Sequence, residues 1–351
     1  MNILGIETSC DETAASIVKD GRKILSNIVA TSVEMHTKTG GIIPEKAARE
    51  QIRSILPVVQ NAMLNAKCQI SNIDAVAITV GPGLIGSLLV GVETAKTLAL
   101  LWEKPIIPVN HLVAHIYANW LAPEQEGKRV KEYKLPKFPA LALVVSGGHT
   151  DLVLMKGRGK LKWIGGTRDD AAGEAFDKSA RLLGLPYPGG PSISKEAAKF
   201  LSKNPKTKLT LFPRPIIDEQ NFDWSFSGLK TAVLRETQKL DSKLIPLIPK
   251  LAAEVQEAIV DVLVEKTLRA VKKFKPESLL LAGGVAANSR LREKFQLSII
   301  NSQFSIDFRV PPPPLCTDNA AYIAAYAYYN NSPIPWERVA VNPELTIASQ
   351  P

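Results

Sequence analysis

The segment VNHLVAH (109–115) places His111 and His115 four residues apart. On a helix they lie one turn from each other on one face. Neutral imidazoles so arranged can share a metal ion. The chain has only four histidines, and these are two of them. Position 112 is Leu, so the segment lacks the Glu that serves as general base in the HExxH zinc-protease pattern. A third ligand has to come from elsewhere. Asp318, after the stiff PPPP run (311–314), is the best acidic candidate; His149 and Cys316 are weaker ones.

Glycine-rich turns form a second group. In SGGHT (146–150) a glycine pair at a hairpin tip lets backbone N–H groups approach a phosphate or carboxylate, and Ser146 adds a hydroxyl. In LAGGVAANSRL (281–291) Gly283 and Gly284 separate a strand from a helix whose N-terminus favours an anion, with Asn288 beside it. Asp177, in GEAFDK, follows Glu174 by three residues. It is either part of a solvated helix face or an acceptor for ribose hydroxyls, with the YPGG loop (187–190) closing the other side. GPGLIG (81–86) has the form GxGxxG, but Pro82 removes a backbone N–H and the motif is not at the first strand–helix turn. It reads as a tight turn with close helix packing. No GxxxxGK[ST] occurs. In TSCDET (8–13), Asp11 and Glu12 sit at a hairpin tip, either solvated or available to accept a proton.

These residues need elements to hold them. ILGIETSCDETAASIVKDGRKILSNIV reads as strand, polar turn, strand, strand. Residues 43–66 read as a helix with Pro44 in its first turn, 73–81 as a buried strand, 87–102 as a helix, and KPIIPVN as a strand leading into the histidine helix. The helix 87–102 carries Leu88, Leu89, Val92 and Ala95, a stripe for the core or for a dimer. After a polar, proline-bearing stretch (122–139), ALALVVSGGHTDLVLMKGRGKLKWIG (140–165) repeats the strand–turn–strand–strand order. DDAAGEAFDKSARLLGL is a helix turning Leu182, Leu183 and Leu185 inward, followed by YPGGPSIS as a loop. Residues 250–274 form an amphipathic helix, 278–295 a strand, glycine turn and helix, and 318–329 a helix with Asp318 at its cap. The pattern predicts an α/β protein of two similar domains with a cleft between them, 1–130 and 131–330, and a tail of 331–351.

The composition sets outer limits. A chain of 351 residues with 45% hydrophobic and 22% charged content is an ordinary globular protein. Its net charge of +9 favours a polyanionic partner, nucleic acid above all. Three cysteines without a CxxC fit reduced thiols in the cytoplasm. The N-terminus lacks a basic n-region and reads as a first strand, and the longest uncharged stretch is divided by Gly81-Pro82-Gly83, so neither a signal peptide nor a membrane span is expected.

Taken together, GIETSCDET, HLVAH, VSGGHT, GEAFDK, YPGG, GGVAANSRLR and CTDNAAYIA resemble the tRNA N6-adenosine threonylcarbamoyltransferase family, TsaD, from the first strand to about residue 330. Residues 331–351 carry no matching motif. The resemblance implies two ribonuclease-H-like domains of the actin, hexokinase and Hsp70 type. It implies one divalent metal, Fe2+ first and Zn2+ second, on His111, His115 and Asp318. It implies that Val144, Val145, Ser146, Gly147, Gly148, Asp177, Gly190 and Asn288 bind the nucleotide-bearing substrate. The implied reaction moves a threonylcarbamoyl group from threonylcarbamoyl-AMP to the N6 amine of the adenosine next to the anticodon, in tRNAs that read codons beginning with adenine. Asp11 or Glu12 would take the proton of the attacking amine. The implied partners are a smaller paralogue, TsaB, and a P-loop ATPase, TsaE; a homodimer is a further expectation. Two rival readings are a nucleotide-binding regulatory or assembly ATPase module and a metalloprotease.

Overall fold

In the computed structural model, residues 1–122, 133–240 and 244–349 are described. They form two compact units, Met1–Pro136 with Gly157–Leu161 and Pro311–Pro351, and Lys137–Lys156 with Lys162–Val310.

The first unit is built on a five-stranded sheet of β1 (Asn2–Glu7), β2 (Glu12–Lys19), β3 (Lys23–Thr31), β4 (Ala75–Gly81) and β5 (Ile106–Asn110), in the order β3-β2-β1-β4-β5. β1 pairs antiparallel with β2 and parallel with β4, and β4 runs parallel to β5. Every residue of β4 and β5 is buried, as the near-continuous apolar runs require of strands covered on both faces. The helices are α1 (Val33–Thr39), α2 (Pro44–Asn65), α3 (Ile85–Leu101) and α4 (His111–Tyr117). On α3, Leu88, Val92 and Ala95 are core while Leu89 is exposed.

The second unit repeats the plan. β6 (Ala140–Val145), β7 (Thr150–Gly157) and β8 (Lys160–Gly166) precede α5 (Ala172–Leu182), α6 (Gly189–Lys203), α7 (Ser227–Leu240) and α8 (Leu244–Phe274). β9 (Ser278–Ala282), α9 (Ser289–Asn301) and β10 (Asp307–Arg309) complete it. The sheet order β10-β9-β6-β7-β8 matches that of the first unit strand for strand. β6 pairs antiparallel with β7 and parallel with β9.

The last helix, α10 (Ala321–Tyr329), belongs to the first unit and packs on α4 and β1. Gly5 makes this possible. A Cβ there would stand 2.4 Å from Ala320 O, so only glycine lets the start of α10 rest on β1.

Four expectations from the sequence need adjustment. The units are not the sequential blocks 1–130 and 131–330, because Pro311–Pro351 folds back with the first one. Asp318 does not cap α10; Asn319 Oδ1 accepts the Ala321 N–H instead, which leaves the Asp318 carboxylate free. The YPGG segment is not wholly loop, since Gly189 and Gly190 already form the first turn of α6, with Pro191 where its missing N–H costs nothing. Of the three leucines expected inward, Leu183 is buried and Leu182 and Leu185 are half-buried. Residues 123–132, part of the expected linker and of the lysine cluster at 128–137, lie outside the described residues.

Candidate active site

Asn110 starts the helix that carries the histidine pair. Its side-chain oxygen accepts the N–H groups of Leu112 and Val113 at 3.0 and 3.3 Å, a capping arrangement that begins α4 at His111. Its amide nitrogen donates to the carbonyls of Thr346 and Ser349 at 2.8 and 3.2 Å. Residues without a motif in the sequence thus hold the histidine helix from outside.

On α4 the two imidazoles stand 4.5 Å apart between ring centroids. Asp318 Oδ1 lies 3.3 Å from His115 Nε2 and 3.7 Å from His111 Nε2. One ligand atom from each of the three residues falls within 4.8 Å of the others, close enough to share one cation. The donor set, two nitrogens and one carboxylate oxygen, is one that Fe2+ and Zn2+ accept. His115 is fully buried, while the Asp318 side chain keeps 23% of its surface exposed, so the group is open on the carboxylate side. All three residues belong to the first unit.

Three further side chains touch the group. Ser9 Oγ stands 3.4 Å from His111 Nδ1. Glu7, at the end of β1, has Oε2 2.9 Å from His111 Nδ1, and the Tyr322 hydroxyl lies 3.5 Å from both His115 Nε2 and Asp318 Oδ1. Residue spacing in the sequence marks neither Glu7 nor Tyr322 as part of the group. Glu7 carried a signal: a lone acid closing an apolar strand is a buried charge that must find a partner.

The electrostatics follow from this crowding. Burial works against a charged His111, but the Glu7 and Asp318 carboxylates outweigh it and raise its pKa to about 9. His115 is held below its usual value by burial and by His111. Burial would raise Asp318, yet His111 and His115 bring it down to about 2. Glu12 is pushed well above the carboxylate range by burial, then by Asp318 and Asp11, with a hydrogen bond to Asp11 adding to the effect. Asp11 is buried and Glu12 half-buried, so this hairpin tip is no solvated turn. The Cys10 thiol is driven upward by burial and by Asp11, which makes it a poor nucleophile.

The glycine turns lie in the second unit. Val144 and Val145 end β6, buried; Gly147 and Gly148 are exposed at the tip. Nothing stands within 4 Å of a Cβ placed on Gly147, Gly148, Gly190 or Gly284. Gly283, at φ +88, packs on Val145 O, and Gly173 packs on Ser146 O, so the tip, the start of α5 and the turn after β9 converge. Glu174 N–H donates to Gly147 O at 3.0 Å. Asp177 is drawn in from α5: its Oδ1 accepts Gly189 N–H at 2.7 Å, and burial raises its pKa. Asn288 caps α9 by accepting Leu291 N–H at 3.0 Å and donates to Gln256 at 3.0 Å. The open glycines make a cradle of backbone that a small anion can enter. Asp177 is tied to the start of α6 through Gly189, and Asn288 to the start of α9.

A family model described as tRNA N6-adenosine threonylcarbamoyltransferase, TsaD, matches residues 23–325. The tRNA N6-adenosine threonylcarbamoyltransferase of Thermomicrobium roseum is 51% identical over 350 residues, covering 94% of this chain and 92% of that one. That of Dehalococcoides mccartyi is 49% identical over 329 residues, covering 94% and 93%. The chain belongs to this family. As a tRNA N6-adenosine threonylcarbamoyltransferase family member it is an acyltransferase acting in tRNA modification. The family's fold is that of actin, hexokinase and Hsp70. Among solved structures, component A of the Acidaminococcus fermentans (R)-2-hydroxyglutaryl-CoA dehydratase is similar in fold, with a TM-score of 0.53 and 14% identity over 94% of this chain and 98% of that one.

Proposed function

We propose that the chain transfers the threonylcarbamoyl group of threonylcarbamoyl-AMP to the N6 amine of the adenosine next to the anticodon, in tRNAs reading codons that begin with adenine. One divalent metal ion, iron or zinc, is held by His111, His115 and Asp318. The observation that carries this reading is the meeting of those three side chains, two from α4 and one ahead of α10, around a space one cation fills.

The amine nitrogen forms a bond to the carbonyl carbon of the mixed anhydride, the carbon–oxygen bond to phosphate breaks, and AMP leaves. When bound, the metal supplies Lewis acidity toward that carbonyl. The chain's own residues do the rest. Backbone N–H groups of Gly147 and Gly148 at the tip and of the Gly283–Gly284 turn hold phosphate and keep the donor placed. Asp11 or Glu12, at the tip between β1 and β2, takes the amine proton. The +9 charge favours association with tRNA phosphates.

The lack of a GxxxxGK[ST] supports an expected P-loop partner, TsaE. Ile52 and Leu56 on α2 and Ile85 and Leu89 on α3 are exposed apolar residues, a face for the smaller paralogue TsaB. Three cysteines without a CxxC fit a cytoplasmic setting, and no helix among the described residues is long and apolar enough to cross a membrane.

Incubating the purified protein and its partners with radiolabelled threonylcarbamoyl-AMP and unmodified tRNA tests the proposal. Label in tRNA is the expected result; tRNA that stays unlabelled overturns it.

A further inference from the structure

Glu7 is completely buried, and among the described residues its ion-pair partner is His111. Its two oxygens are fully committed. Oε1 accepts the Ser9 backbone N–H at 2.5 Å; Oε2 accepts the Thr79 hydroxyl at 2.7 Å and faces His111 Nδ1 at 2.9 Å. Thr79 is also buried and sits on β4, next to β1 in the sheet. The carboxylate therefore has one fixed orientation, set by rigid strands.

We propose that Glu7 is a positioning residue of the metal centre: it keeps the proton of His111 on Nδ1, so that Nε2 turns its lone pair toward Asp318 and the cation. The inference rests on the metal reading given above. A carboxylate accepts and cannot donate here, so the imidazole must present Nδ1–H to it. Nε2 is then the free donor atom, on the side where Asp318 Oδ1 lies at 3.7 Å. A purely structural link between β1 and β4 would need no charge; Ser9 N–H and the Thr79 hydroxyl are satisfied by any acceptor.

The test is metal binding, read apart from activity. Chelator-treated protein is titrated with Co2+, following its visible absorption, and Zn2+ affinity is taken by competition with a chromophoric chelator. For Glu7→Gln, which offers an N–H donor to one of the three groups, the expected outcome is a loss of about 10- to 100-fold in affinity, with an altered Co2+ spectrum. Glu7→Asp, which keeps the charge on a shorter arm, should fall between wild type and Glu7→Gln. Wild-type affinity and spectrum in Glu7→Gln would overturn the role of Glu7. If Glu7→Gln does not fold, Thr79→Val decides: it keeps the carboxylate but frees it to rotate, and affinity should drop by about threefold or more; an unchanged affinity overturns the proposal. Wild-type protein that binds neither ion contradicts the metal reading itself, a different result from a wild type that binds and a Glu7→Gln that binds equally well.

Discussion

Asp318 Oδ1 lies 3.3 Å from His115 Nε2, although the sequence of the second unit runs between the two residues. The chain achieves this by returning through Pro311–Pro351 to lay α10 on α4 and β1. Replacing Asp318 by Ala removes the one oxygen among the three proposed ligands. Transfer to tRNA should fall by about 10²-fold or more, while the fold persists, because the carboxylate caps no helix. Single-turnover rates alongside a melting curve check both halves.

Gly5 governs the same meeting point from beneath. Gly5→Ala would force a Cβ against Ala320 O and Ala324 N, both backbone atoms. The expected cost is about 1–3 kcal/mol, together with weakened metal retention, since Asp318 lies just ahead of the displaced segment. Stability and metal content measured on one preparation should fall together.

The glycine cradle behaves oppositely. Gly148 is exposed and has nothing within 4 Å of a Cβ position, so Gly148→Val should leave the melting temperature close to wild type. The side chain would occupy the space assigned to donor phosphate. KM for threonylcarbamoyl-AMP should rise by about tenfold or more, on the order of a contact removed from a phosphate site, with the tRNA KM unchanged.

Glu257 gives the pH prediction. It lies on α8 and pairs with Arg290 at 2.8 Å and Lys294 at 2.6 Å, both on α9. Burial would raise its pKa, but these two cations bring it down to about 2. A carboxyl depressed by folding stabilises above its unfolded pKa, about 4.3, and loses that contribution as pH falls toward 2. Glu257→Gln should therefore cost about 1–3 kcal/mol at pH 7, and the gap to wild type should shrink between pH 4 and pH 2. Melting temperatures of both proteins across that range measure it.

The tail makes a separate demand. Asn110 bridges α4 to the carbonyls of Thr346 and Ser349, and Leu345 and Ile347 are buried. Asn110→Ala removes a helix cap worth about 1 kcal/mol and leaves two carbonyls without their donor. A melting temperature lower by about 2–4 °C is expected, with activity reduced through a loosened histidine helix.

Much of this was legible from residue types alone. The histidine pair, the paired hairpins and the glycine turns are local, and their spacing shows in the chain. Asp318 is visible as an acid of the right kind, but α10 starts later than its spacing suggests, at Ala321, whose N–H goes to Asn319 Oδ1. Glu7 was hidden in a strand whose other residues are apolar; only the neighbouring strand and α4 reveal its partners. The return of Pro311–Pro351 to the first unit depends on contacts that no local pattern encodes, such as Asn342 N–H on Val80 O at 2.7 Å and Ile334 bridging to Ile106. The helices α6 and α7 went unread: α6 opens on Gly-Gly-Pro, which has the composition of a turn.

The most direct measurement is the metal content of freshly purified, chelator-free protein, set against His111→Ala, His115→Ala and Asp318→Ala prepared the same way. The account predicts about one iron or zinc per wild-type chain and a near-complete loss in each variant. A wild type without metal, or variants that retain it in full, would contradict the account.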